Sequence, residues 1–84
     1  MQPSLYLVYL EAPPLRDPSA TADMIELMPG LYLVETGQTR SQLYHSLKRR
    51  FDPVRLLVAP MAQAPKFKGM APGVQKWLRG QGYE

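Results

Sequence analysis

The chain has 84 residues, 45% of them hydrophobic and 20% charged, with ten basic and seven acidic side chains for a net charge of +3. That length argues for a single domain over residues 1–84, burying roughly 60–65% of the surface its unfolded form exposes, and the composition excludes global disorder. Cysteine is absent, which excludes disulfide staples and thiolate metal ligands.

The first apolar run, Leu5 to Leu10, follows a start with no positive charge. It is too short for a signal-peptide core or a membrane span, so the expectation is a soluble, cytoplasmic protein with no membrane partner. The lack of cysteine agrees with a reducing compartment. A short run of Leu, Tyr and Val bounded by turn formers predicts a strand buried on both faces. "APP" at Ala12 to Pro14 ends it, because proline cannot donate to a ladder. "LRDPSATAD" then predicts a loop, with room for one helical turn from Ser19. "MIELM", Met24 to Met28, fits either a helix with Ala20, Met24, Leu27 and Met28 on one face or a strand alternating Ile25 and Leu27. The strand reading is preferred, because a hairpin through Pro29-Gly30 leaves no apolar strand without a partner.

Leu31 to Val34 repeats the tetrapeptide LYLV of Leu5 to Val8. "TRSQLYHSLKRRF" predicts a helix: Thr39 and Gln42 form a capping box, Leu43, Tyr44, Leu47 and Phe51 form an apolar stripe, and Lys48, Arg49 and Arg50 sit in the last turn, where the helix dipole favours cations. Asp52-Pro53 stops it. "VRLLVAP" predicts another strand, "MAQAPKFKGMAPG" an irregular basic loop, and "PGVQKWLRG" a short helix with Val74, Trp77 and Leu78 on one face, ended by Gly80. The order is that of an α+β, ferredoxin-like (split βαβ) sheet with a shortened first helix and an added C-terminal helix. In that arrangement the first and third strands are central, so LYLV recurs because two strands occupy the same kind of slot. Internal duplication is the alternative, but the flanking residues of the two copies do not match.

"LYLVYLEAP", "GLYLVET", "TRSQLYHSLKRRFDP", "VRLLVAP" and "WLRG" follow a layout similar to that of the small ferredoxin-like proteins grouped with the CRISPR-adaptation nuclease-like subunit and its VapD-type relatives. The resemblance runs from Ser4 to about Val58 and takes in the terminal helix. It implies an acidic residue at the end of the first strand, set at a dimer interface where two copies hold a divalent ion. Glu11 stands at the matching place, where the family has aspartate. A first helix between the first two strands is also implied, but only Pro13 to Asp23 is available, broken by Pro18.

The charge is divided along the chain. Arg16 is the only base among the first 39 residues, whereas Arg40 onward holds nine bases opposed only by Asp52 and Glu84. A basic half predicts an anionic partner. Two clusters carry that reading. Lys48, Arg49 and Arg50 could neutralise phosphates or simply be a solvated helix end. Lys66 and Lys68 could hold phosphates while Phe67 stacks on a base; the plain alternative has Phe67 and Met70 covering the core. His45 is the sole histidine and reads as a solvated helix residue, since zinc would need carboxylates alone as its other ligands. Ser41, His45 and Ser46 make no triad, lacking a nearby acid. No phosphate-loop signature is present, and no cofactor or metal is expected. Five tyrosines and the methionines Met24, Met28, Met61 and Met70 exceed what a small core absorbs. Tyr6, Tyr9, Tyr32 and Tyr44 can fill a sheet–helix core with their hydroxyls at its edge, while surplus aromatic and methionine surface, with a sheet face left bare by the short first connection, would suit a protein interface.

These features predict a small non-enzymatic binding module of bacterial or phage type. It would act as a homodimer, with its basic half on nucleic acid or an acidic protein surface. A metal-dependent nuclease of the resembling family using Glu11, and a bacterial or phage regulator acting by protein–protein contact, are the alternatives.

Overall fold

A computed structural model describes residues 3–12 and 24–83. The turn expected at Ser19, with the rest of the segment from Pro13 to Asp23, lies outside the described residues. The elements are strands β1 (Ser4–Glu11), β2 (Met24–Met28) and β3 (Leu31–Thr36), helix α1 (Arg40–Phe51), strand β4 (Arg55–Pro60) and helix α2 (Val74–Gly80). The strands form one sheet in the order β2-β3-β1-β4, with every neighbouring pair antiparallel. No described helix is long and apolar enough to cross a membrane.

The two LYLV segments pair with each other at the centre of the sheet. Tyr6 stands opposite Val34, Val8 opposite Tyr32, and Leu7 opposite Leu33. The same aromatic-to-β-branched pair is therefore made twice, a favourable cross-strand combination. Period-two alternation sends the two sets of side chains to opposite faces. Tyr6, Val8, Leu10, Tyr32 and Val34 join Met24 and the α1 residues Leu43, Leu47 and Phe51 in one core. Leu5, Leu33 and Leu27 join Val74 and Leu78 of α2 in a second. Both runs are apolar on every residue because both faces are covered.

"MIELM" is a strand. The turn into β3 needs its glycine: Gly30 has φ +87°, and a Cβ there would meet the Tyr9 ring at 3.2 Å and the Leu10 carbonyl at 3.4 Å. The preceding proline fits the same turn, with φ preset at one central position and glycine supplying positive φ at the next. Pairing is interrupted by a bulge between Glu26 and Met28.

α1 begins as its sequence predicts. Thr39 accepts from the Gln42 amide at 3.2 Å, and the Gln42 side chain accepts from the Thr39 amide at 2.9 Å. It ends at Asp52, whose φ of +47° is left-handed and whose amide donates to the Lys48 carbonyl. The buried stripe is narrower than expected: Leu43, Leu47 and Phe51 are buried, but Tyr44 is 36% exposed. Tyr44 lies about 100° round the helix from Leu43, at the border of the buried face, and lines a groove with Leu56, Leu57 and Val58 of β4.

α2 docks on the face opposite α1 through Val74 and Leu78, with Trp77 half-buried beside them. The helix runs through Gly80, and the left-handed glycine after it is Gly82 at φ +92°. Met61, Phe67 and Met70 of the preceding loop pack against the same core. This C-terminal segment thus covers much of the face that a short first connection was expected to leave bare. Met24 is buried, Met61 and Met70 are half-buried, and Met28 is 49% exposed.

Leu78→Ala should cost about 2–4 kcal/mol, the range for truncating a buried leucine. Trp77→Ala, at a half-buried site, should cost less. Chemical denaturation of both variants checks the order. An unchanged midpoint for Leu78→Ala would mean that α2 is not docked.

Candidate functional site

The loop after β4 and the outer side of α2 enclose a cavity of about 340 Å³ lined by Pro65, Lys66, Phe67, Gln75, Leu78, Arg79 and Tyr83. Lys66 and Arg79 are exposed, whereas Phe67 and Tyr83 are half-buried. Two cationic heads and two aromatic rings therefore share one concave surface. Leu78 anchors the floor because it is also a core residue. Tyr83 is held by the helix end, where its amide donates to the Leu78 carbonyl at 2.9 Å. Burial, and a hydrogen bond to Glu35, raise its phenol above the ordinary tyrosine value.

Lys66 and Phe67, two of the candidates named from the sequence, line this cavity. Lys68 does not: it lies beyond Phe67 along a shallower groove lined by residues 67–75. Phe67 lines both while packing part of its surface on the second core. Arg79 and Tyr83 escaped the sequence reading. The legible signal was the four-residue spacing of Gln75, Arg79 and Tyr83, which puts the first two on one helix face and the third just past its end.

Lys48, Arg49 and Arg50 are exposed at the end of α1. α1 belongs to the first core and the cavity to the second, so the sheet separates this cluster from Lys66 and Phe67. The Arg50 guanidinium lies 5.1 Å from the centroid of the Phe51 ring, and Arg50 also lines a groove with Glu35, Thr36 and Gln38. The basic half of the sequence is thus not one basic surface.

Glu11 ends β1 opposite Arg55. One Arg55 Nη1 donates to both of its carboxylate oxygens, at 3.0 and 2.8 Å, and the Tyr9 hydroxyl donates to Oε2 at 3.1 Å. The Arg55 bond first, then that from Tyr9, hold the Glu11 carboxyl below its ordinary pKa. The same contact with Glu11 raises the Tyr9 phenol. Glu26 faces the same cleft and accepts a bond from the Tyr32 hydroxyl at 3.3 Å. Among the described residues no three acidic or histidine side chains are grouped so as to hold a metal ion. His45 is an exposed helix residue whose ring meets Tyr44 edge-on at 5.2 Å.

A carboxyl whose folded pKa is lowered stabilises the fold above its unfolded pKa, and that stability is lost as pH falls through the folded value. The Glu11 side-chain carbon, followed by NMR, should therefore titrate at lower pH than a free glutamate, and Arg55→Met should move it back upward. An unmoved titration would mean that the ion pair does not form in solution.

No family model matches this chain, no curated protein matches it, and no solved structure matches it.

Proposed function

We propose that the chain is a small non-enzymatic binding module whose C-terminal cavity holds single-stranded nucleic acid. The observation that carries this reading is the shared lining of Lys66, Arg79, Phe67 and Tyr83. Cations neutralise backbone phosphates and release counterions, while an aromatic face accepts any base by stacking. A site of two cations and two rings suits one or two nucleotides, and stacking, which every base can make, fits binding without strong sequence preference.

The strand order β2-β3-β1-β4, with helix α1 as the crossover from β3 to β4, supports assigning the core to the ferredoxin-like, split βαβ class. α2 is then an addition on the opposite face, and it is the addition that builds the cavity. Glu11 has no part in binding on this reading, since its oxygens are occupied by Arg55 and Tyr9.

Fluorescence anisotropy with a labelled oligonucleotide tests the proposal. Affinity should fall with added salt. Lys66→Gln and Arg79→Gln should each weaken binding across all sequences and reduce the salt slope by about one unit. Phe67→Ala should weaken binding by about 1–3 kcal/mol. Removing the charges of Lys48 and Arg49, across the sheet, should have a smaller effect. Absence of binding at low salt, or equal losses from both basic sets, would overturn the assignment.

A further inference from the structure

The sheet has two edges, and they are treated differently. β2 is bulged between Glu26 and Met28, and its Leu27 carbonyl accepts a bond from the Ala71 amide at 2.8 Å. Bulges and covering segments are standard protections of an edge strand. β4 has neither. The Met61 amide donates to the Leu5 carbonyl, in the same register that pairs Ala59 with Leu7 and Leu57 with Tyr9. Hydrogen bonds of an antiparallel strand alternate in direction. Leu57 and Ala59 therefore bond inward to β1, and the amides and carbonyls of Leu56 and Val58 point outward. Among the described residues, no backbone group bonds to these outward amides.

The apolar surface gathers at the same edge. Val54 is 69% exposed, Leu57 54% and Tyr44 36%, which makes three of the four large hydrophobic side chains left most exposed. Tyr44, Leu56, Leu57 and Val58 line one groove along it.

We propose that β4 pairs antiparallel with β4 of a second copy, joining two four-stranded sheets into one of eight strands. The occupant follows from register. When Leu56 stands opposite the partner's Val58, every outward amide and carbonyl of these two residues finds a mate, making four hydrogen bonds about a two-fold axis. Leu57 then meets the partner's Leu57 in a close, non-hydrogen-bonded pair. Arg55 faces the partner's Ala59, so no like charges stand opposite one another in the strands. The ladder ends where it should: Pro60 has no amide to donate, and the Val54 amide is already given to the Glu11 carbonyl at 2.7 Å. The only free edges of the assembly would be the two β2 strands, both protected. The inference does not rest on the nucleic-acid reading, whose cavity lies at α2.

One short strand edge makes a small interface, so the dimer is expected at micromolar rather than nanomolar concentration. Sedimentation equilibrium on the full chain should show a reversible monomer–dimer equilibrium. Val58→Pro deletes an outward amide from the backbone ladder, and because Val58 also packs against the first core its fold is checked by circular dichroism. With the fold kept, it should weaken association roughly tenfold to a hundredfold, as expected for two hydrogen bonds lost per dimer. Leu57→Lys, at an exposed side chain, should weaken it similarly with circular dichroism unchanged. Hydrogen exchange supplies a readout that needs no variant: the Leu56 and Val58 amides should gain protection as concentration rises. A protein that stays monomeric to millimolar concentration overturns the proposal. So does a dimer in which these two amides stay unprotected, or a monomer that instead takes up an extended peptide along β4.

Discussion

The pairing of Leu5–Val8 with Leu31–Val34 is the contact on which the rest of the fold depends. It places two continuous apolar strands side by side at the centre of a sheet, with Tyr6 against Val34 and Val8 against Tyr32. Strands of this composition cannot leave either face in water, because apolar surface exposed there forgoes about 25 cal/mol for each Å² left unburied. The sequence between and after them must therefore supply two covers. α1 is the first, amphipathic and firmly capped. The second is irregular: the basic loop after β4, followed by the short α2. It carries little intrinsic stability as a helix and holds its place by burying Val74 and Leu78.

That division of labour shapes the electrostatics. The bases follow Arg40 in the sequence, but the sheet interrupts them in space. Lys48, Arg49 and Arg50 lie with one cover, Lys66 and Arg79 with the other. The polar groups around the first core are locally satisfied: the Tyr6 hydroxyl reaches the Gln38 carbonyl at 3.0 Å, and no buried side-chain polar atom among the described residues lacks a partner. The cavity at α2 brings Lys66 and Arg79 onto one concave surface with Phe67 and Tyr83. The Glu11–Arg55 pair joins the ends of β1 and β4 with side chains that are 41% and 68% exposed, so solvent screens it and its contribution to stability is small.

The edges carry the remaining asymmetry. β2 lies next to the C-terminal segment and is covered as a by-product of covering the second core, while β4 is reached by neither cover on its outer side. Leu57 is the clearest trace of this. It stands opposite Tyr9 of β1, yet it is more than half exposed, because α2 packs over β2 rather than over β4.

Much of this architecture was legible in the residues themselves. Thr39 and Gln42 announced the start of α1, Pro29-Gly30 the hairpin, and the two LYLV segments a pair of doubly covered strands, because capping, turn chemistry and periodicity are local properties. The exact register of the strands, and which distant side chains meet on each face, were decided by tertiary structure. Tyr44 matched the apolar stripe in sequence yet faces outward, since the width of the buried face depends on what the helix lies against. Glu11 reads as a candidate metal ligand by position, and only the register of β4 brings Arg55 onto it from 44 residues away. Lys66 and Phe67 were visible as a cation beside an aromatic, but Arg79 and Tyr83 joined them only when α2 folded back over the sheet. The physical reason is common to all three cases. Local sequence sets the conformation of a segment, whereas the surroundings of a side chain are set by segments distant in the chain, brought together by the burial of Leu33, Val8 and Val74 in two separate cores.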